Sequence, residues 1–113
     1  ILELLVSNGE SLTQPLNLFT AKIKEDFSYL RIKPVTKYDA PARGATVTLK
    51  SNLRTHAKTI DAGSGYLCQM EPVAHYGIRE GEKDLDILIN WTDGKTQSFK
   101  INELNKEIIV KKE

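Results

Sequence analysis

The residues that could carry out chemistry are concentrated between Asp61 and Gly77, a stretch that reads DAGSGYLCQMEPVAHYG. It holds a serine, a histidine and an aspartate, at Ser64, His75 and Asp61. Nucleophilic catalysis needs an activated serine beside a base that a third group orients. The serine elbow of hydrolases is G-x-S-x-G between a strand and a helix, whereas here glycines flank the serine directly and no helix follows. We therefore expect a tight turn and no enzymatic activity.

The single cysteine, Cys68, lies in the same stretch, and the chain has two histidines, His56 and His75. A structural zinc site takes four ligands, and these three side chains are too few, so we predict no zinc site. We expect Cys68, Met70 and Tyr66 to pack in the core. One cysteine cannot form a disulfide within the chain, so Cys68 is either a buried or free thiol or pairs with another segment.

Glu71 and His75 lie four residues apart around Pro72. A buried imidazole needs partners for both ring nitrogens, which favours a structural hydrogen bond between the two side chains. Contact with a ligand is the alternative, because polar groups on loops that a rigid sheet holds often bind.

Two further features could carry a modification or a ligand. Asn90-Trp91-Thr92 is the only N-x-S/T sequon, so Asn90 is a candidate for N-glycosylation if the protein is secreted. Trp91 is either a core anchor or an aromatic platform for sugars. Calcium takes six to eight oxygen ligands, and without EF-hand spacing the nearby carboxylates are weak calcium candidates or a solvated loop; they are Glu80, Glu82, Asp84 and Asp86.

The segments around this stretch alternate between apolar and polar residues, which is the period of half-buried strands. Residues 44–50 and 85–91 alternate cleanly, and Asp93-Gly94 is a strong hairpin signal. Seven to nine short strands at this spacing predict an all-β antiparallel sandwich or barrel. The buried face should hold every second residue of each strand: Leu30 and Ile32; Ala45, Val47 and Leu49; Leu85, Ile87, Ile89 and Trp91.

Three local features bear on the strand boundaries. Pro34 lacks an amide hydrogen, so we expect it to end the strand at residues 28–33 or to place that strand on an edge. Between residues 53 and 60 the polar side chains Arg54, His56 and Lys58 are expected to face solvent. Residues 102–107 could form one helical turn.

Composition bounds the function classes. With 113 residues the chain supports one domain, and its formal net charge of +1 provides no field that would attract nucleic acid. No apolar run reaches the roughly 20 residues that a membrane span needs. The chain begins at Ile1 with a β-prone apolar segment, which we interpret as a strand of a longer polypeptide.

Residues 61–67 and 71–77 (DAGSGYL and EPVAHYG) resemble the ASPIC/UnbV domain of the cartilage acidic protein family. Residues 40–45 resemble the entry to that domain's first long strand, and residues 89–95 resemble its tryptophan hairpin, where the family often has proline in place of Thr92. The resemblance implies that residues 27–113 form an ASPIC/UnbV-like β domain. It also implies that residues 1–26 are the remnant of the last repeat of an FG-GAP/VCBS-type β-propeller.

The resemblance further implies a secreted, extracellular protein whose domain is a non-enzymatic interaction module with a matrix, receptor or other protein partner. The alternative is a structural scaffold component that co-assembles with another protein in an extracellular or biomineral matrix. By the same resemblance, calcium is expected only in the neighbouring propeller repeats, and no cofactor is expected in residues 1–113. The loop is expected to brace the domain against the propeller, with contact to the partner as the alternative, through Asp61, Ser64, Tyr66, Glu71 and His75.

Overall fold

The computed structural model of the chain describes residues 3–9, 12–22, 26–65 and 67–113. These residues form nine strands and no helix, which confirms the predicted all-β class. The strands are β1 (Leu4–Ser7), β2 (Leu16–Phe19), β3 (Ser28–Val35), β4 (Thr46–Lys50), β5 (Thr55–Thr59), β6 (Ala74–Ile78), β7 (Asp86–Asn90), β8 (Thr96–Lys100) and β9 (Lys106–Lys111).

Two sheets form an open sandwich rather than a closed barrel. One has four antiparallel strands in the order β5-β4-β7-β8, and the other has three in the order β6-β3-β9. Strands β3 and β9 run parallel, in contrast to the predicted antiparallel pattern. Parallel neighbours need a long crossover connection, and here the rest of the domain supplies it.

The core lies between the two sheets. Its strand residues alternate with outward-facing polar ones, and burying one large aliphatic side chain stabilises the fold by about 1.5–3 kcal/mol. The predicted inward faces are confirmed by the residues found buried: Leu30, Ile32, Ala45, Val47, Leu49, Leu85, Ile87, Ile89 and Trp91.

Pro34 neither ends β3 nor places it on an edge, because β3 continues to Val35 as the central strand of its sheet. The Pro34 carbonyl accepts a hydrogen bond from the Ala42 amide. The nitrogen and the carbonyl of a strand residue face the same side, so the Pro34 nitrogen, which carries no hydrogen, also faces the side of Ala42. Pairing with β6 has already ended there at Ile32 and Ala74. The proline therefore costs no hydrogen bond within the ladder.

Strand β6 lies in the stretch that the sequence suggested was a loop. Its inward side chains Ala74, Tyr76 and Ile78 are buried, and Tyr76 is 1% exposed. The Tyr76 hydroxyl donates a hydrogen bond of 2.7 Å to the Val47 carbonyl on the opposite sheet. Burial raises the pKa of Tyr76 well above its usual range, because the core disfavours a phenolate.

We expected Arg54, His56 and Lys58 to point outward into solvent, and the direction of these side chains is the opposite. Lys58 and His56 pair in register with the buried Val47 and Leu49, so they lie on the inner face of their sheet. Strand β5 is an edge strand, and its inward face extends past the core. His56 is exposed as predicted, but its ring meets the edge of the buried Tyr76 ring.

The β1–β2 hairpin lies outside the sandwich, and residues 102–107 differ from the expected local structure. The β1–β2 hairpin exposes large apolar side chains on both faces, and the radius of gyration of 16.6 Å exceeds the roughly 13 Å of a compact domain of this length. No helical turn forms at residues 102–107, because Asn105 adopts a positive φ and pairs with Tyr29 at the start of β9.

Candidate functional site

Three connections meet at one end of the sandwich, which we call the loop end. They are the β3–β4 loop (residues 36–45), the β5–β6 loop (residues 60–73) and the β7–β8 hairpin turn (residues 91–95). The chain enters β3 at Ser28, which pairs with Ile78 at the opposite end of β6. The loop end is therefore the end farther from that entry point.

The β5–β6 loop brings four of the five predicted site residues together around one cleft of about 470 Å³. Asp61, Ser64, Glu71 and His75 all line this β5–β6 cleft. The fifth, Tyr66, lies outside the described residues. Lys58 and Met70 complete the polar and apolar parts of the lining.

Arg31 fixes this loop to the outer face of the three-stranded sheet. Its two terminal nitrogens donate to both carboxylate oxygens of Glu71, at 2.8 and 2.7 Å, and its Nε donates to Glu107 at 3.0 Å. Register pairing places Arg31 between His75 on β6 and Glu107 on β9. The hydrogen bond from Arg31 also lowers the pKa of Glu71. A forked, charge-assisted pair of this kind orients as well as attracts.

Glu71 and His75 do not form the hydrogen bond that their spacing suggested; both meet Arg31 instead. The Arg31 Nη1 atom lies 3.5 Å from His75 Nδ1, and the imidazole stacks on the Tyr29 ring with centroids 6.0 Å apart. Desolvation, followed by the nearby charges of Arg31 and Lys58, lowers the pKa of His75. These effects favour the neutral form of the His75 imidazole.

The start of the loop is a local turn built on Asp61. The Gly63 amide donates to the Asp61 carboxylate at 2.9 Å. This bond, followed by one from the Ser64 hydroxyl, lowers the pKa of Asp61. The bond from Gly63 to Asp61 is the local side-chain-to-backbone turn that the sequence predicted at Asp61.

The expected packing of Cys68 and Met70 in the core is wrong, because both are exposed. Met70 is 60% exposed and the neighbouring Leu67 is 90% exposed, with a positive φ of 54°. Cys68 is a free, exposed thiol, and its pairing with another segment stays a prediction. The loop's polar groups anchor it to the sandwich while its apolar side chains point outward.

The four calcium candidates do not converge. Glu82 is buried and bonded to Arg54 at 2.8 Å and to Ser51 at 2.8 Å. Burial opposes its charge, but these bonds and the Arg79 amide outweigh that effect and lower its pKa. Across the described ranges, no three His, Cys, Asp or Glu side chains are grouped to hold a metal ion.

Asn90 ends β7 and is exposed, so the sequon is accessible, and its glycosylation stays a prediction. Sequence reasoning placed Trp91 in the core or on a sugar-binding surface, and it is 5% exposed in the core. It missed Arg31, because nothing in the local pattern shows which acidic residues a strand arginine will meet.

No helix among the described residues is long and apolar enough to cross a membrane.

The fold defines a small all-β sandwich domain with three connections gathered at its loop end. The family model described as "ASPIC and UnbV" matches residues 35–113, and the chain therefore belongs to that family. It is 44% identical to cartilage acidic protein 1 of Xenopus tropicalis, 43% to that of Homo sapiens and 42% to that of Mus musculus. Each alignment covers 97% of this chain and 17% of the relative.

Proposed function

We propose that this chain is a non-enzymatic interaction module of a secreted extracellular matrix protein, and that the β5–β6 loop contacts a protein partner. Similarity to cartilage acidic protein 1, as its name describes it, supports the matrix setting. The observation that carries the contact is the loop itself, which Arg31 anchors while Leu67 and Met70 are exposed. Apolar side chains on a rigid loop form the centre of many interfaces.

The position of the loop favours contact with a partner over bracing against a preceding propeller. Eight residues of β3 separate Ser28, where the preceding polypeptide joins, from the loop end. At about 3.3 Å per residue this is roughly 26 Å. The exposed β1–β2 hairpin supports residues 1–26 as part of a larger preceding sheet, because an isolated two-stranded hairpin is marginally stable in water.

The absence of catalysis is part of the proposal. His75 faces Arg31, and none of the hydrogen bonds in the described part of the chain joins Ser64 to His75, so the two do not form a pair of nucleophile and base. If the purified protein showed hydrolase activity that Ser64→Ala or Cys68→Ala abolished, the non-enzymatic assignment would be wrong.

The contact is tested by measuring binding of the purified protein to extracellular matrix extract coated on a surface. A double variant, Leu67→Asp with Met70→Asp, should weaken binding about tenfold, because apolar anchors dominate interface energies. Both positions are exposed, so the variant should fold. Leu53→Asp is the control, because Leu53 is 57% exposed in the turn between β4 and β5, at the opposite end of the sandwich. Equal binding by the loop variant and the control would refute the assignment.

A scaffold role in an extracellular or biomineral matrix is the second candidate, and the free edge of β8 favours it. Backbone hydrogen bonds between Trp91 and Lys95 and between Ile101 and Leu85 show which residues of β8 bond to β7. The peptide groups of alternate β8 residues such as Ser98 then point away from β7 and could pair with another strand. Light scattering discriminates the two roles, since co-assembly predicts a fixed stoichiometry and reversible binding predicts a titration.

A further inference from the structure

A second cleft of about 510 Å³ opens at the loop end beside the first. It lies between the β3–β4 loop, the β7–β8 hairpin turn and the end of β9, and we call it the Tyr38 cleft. Tyr38 stands at its rim and is 78% exposed, while Trp91 lies in its wall and is 5% exposed. Its volume falls in the range of clefts that hold small ligands or a few residues of a peptide.

Two consecutive lysines at the end of β9 hold the walls of the Tyr38 cleft in place. Lys111 bonds to Asp39 in the β3–β4 loop at 2.9 Å. Lys112 bonds to Asp93 in the β7–β8 turn. Each loop is thus tied to the same strand, so the cleft is largely formed before any ligand arrives. A preformed cleft lowers the entropy cost of binding.

The same walls also meet directly. Gly44 has a φ of +88°, and a Cβ at this position would lie 3.0 Å from Thr92 Cγ2. Glycine avoids both the backbone strain and the crowding. The β3–β4 loop can therefore pack closely against the hairpin turn.

Three of the four remaining charged residues that line the Tyr38 cleft are cationic, and the fourth is Glu113. Lys37, Arg43 and Lys95 line it, and in the described part of the chain no ion pair joins any of them to a carboxylate. The Lys37 ammonium lies 5.0 Å from the centroid of the Tyr38 ring, so it stays at the rim. Arg43 gives one nitrogen to the Asp61 carbonyl at 2.6 Å, which leaves the rest of its guanidinium free.

Arg43 also connects the two clefts, because Asp61 lines the β5–β6 cleft. On that side the lining carries the carboxylates of Asp61 and Glu71. The loop end therefore presents a cleft that holds two carboxylates and the Lys58 ammonium next to a mainly cationic cleft. Such a pairing fixes the orientation of a partner more than it adds affinity.

We propose that the Tyr38 cleft receives an acidic peptide segment, with Asp or Glu side chains, of the same protein partner that contacts the β5–β6 loop. This inference rests on the proposed function. Arg43 offers a planar fork suited to a carboxylate, and Lys37 and Lys95 add point charges at the rim. Tyr38 supplies an exposed ring that packs on the stems of such side chains.

The chain's single tryptophan makes the cleft directly observable, because Trp91 lines it. We would titrate the protein with a hexaglutamate peptide and record tryptophan fluorescence, with hexalysine and a chondroitin sulfate hexasaccharide as parallel arms. The expected result is a saturable response to hexaglutamate that weakens with salt. Hexalysine should give no response.

The decisive variant reverses two rim charges, Lys37→Glu with Lys95→Glu. Its midpoint for hexaglutamate should rise about tenfold or more. The matched control, Lys50→Glu with Lys83→Glu, makes the same change in net charge at the opposite end and should stay within about twofold. Thermal unfolding by circular dichroism confirms that both variants fold.

The proposal is overturned if hexaglutamate gives no saturable response, or if the rim variant responds like the control. It is also overturned if the chondroitin sulfate arm alone depends on the rim lysines, because the occupant would then be an acidic glycan. The Leu67→Asp, Met70→Asp variant should keep the hexaglutamate response. Loss of matrix binding in that variant therefore tests the loop contact separately from the Tyr38 cleft.

Discussion

The forked pair between Arg31 and Glu71 should decide how firmly the β5–β6 loop is held. Exposed ion pairs contribute about 0.2–1 kcal/mol, and the Glu71 side chain is 54% exposed, which weakens the interaction. The two parallel hydrogen bonds act the other way, since the Arg31 side chain is only 24% exposed. We expect a coupling free energy of about 1 kcal/mol, or roughly a fivefold change in the opening of the loop.

A double-mutant cycle with Arg31→Met and Glu71→Gln isolates this coupling from the second bond of Arg31 to Glu107. Urea unfolding gives the free energies, and hydrogen exchange of residues 62–73 gives the opening of the loop. The exposed pair of Lys106 and Glu103 is the matched control, and its coupling should stay below about 0.5 kcal/mol.

The pair also has a defined pH dependence. The folded-state pKa of Glu71 lies below its usual value, so the pair stabilises the fold above about pH 4.5 and is lost as the pH falls through the lowered pKa. A coupling of zero within error, together with unchanged exchange of the loop amides in Glu71→Gln, would refute the anchoring role of Arg31.

The remaining predictions concern the side chains that support the site. Tyr76→Phe should lower the free energy of unfolding by about 1 kcal/mol, because it removes the buried inter-sheet hydrogen bond, whereas Tyr38→Phe should change nothing measurable in the same urea titration. The folded-state pKa of Tyr76 is raised, so stability should fall above about pH 10 in the wild type and less so in Tyr76→Phe. Arg54→Met should cost about 3 kcal/mol in thermal or urea unfolding, because Glu82 would be left charged and buried; a loss below about 1 kcal/mol would contradict this. The lowered pKa of His75 predicts that stability declines as the pH falls below about 6.5, and a flat profile there, identical in His75→Gln, would argue against it.

The sequence predicted the parts of the fold that depend on local periodicity. Strands β4 and β7 alternate cleanly, and each inward side chain that the pattern named is buried. Strand β6 also alternates, through Ala74, Tyr76 and Ile78, but Pro72 and the glycines before it favoured a loop over the whole stretch. Only this alternation indicated a strand, and an alternation over five residues is weak evidence for one.

The candidate site was predictable in its loop residues but not in what holds them. Asp61 to His75 stand close in sequence, so a turn could be expected to gather them. Arg31 and Glu107 are 76 residues apart and meet only because β3 and β9 are parallel neighbours. Likewise, the burial of Glu82 depends on Arg54 from another turn. Contacts of this range depend on the topology and not on local sequence pattern.

The polar inward face of β5 explains how the β5–β6 cleft gets its width. The loop leaves β5 on one sheet and returns in β6 on the other, so no ladder hydrogen bonds join its two ends. Arg54 donates to the Gly77 carbonyl and Lys58 to the His75 carbonyl, on the edge of β6 that faces away from β3. These bonds satisfy peptide groups that would otherwise be open at an edge. The side chains that the sequence suggested were solvent-facing therefore set the distance between the two strands from which the site is built.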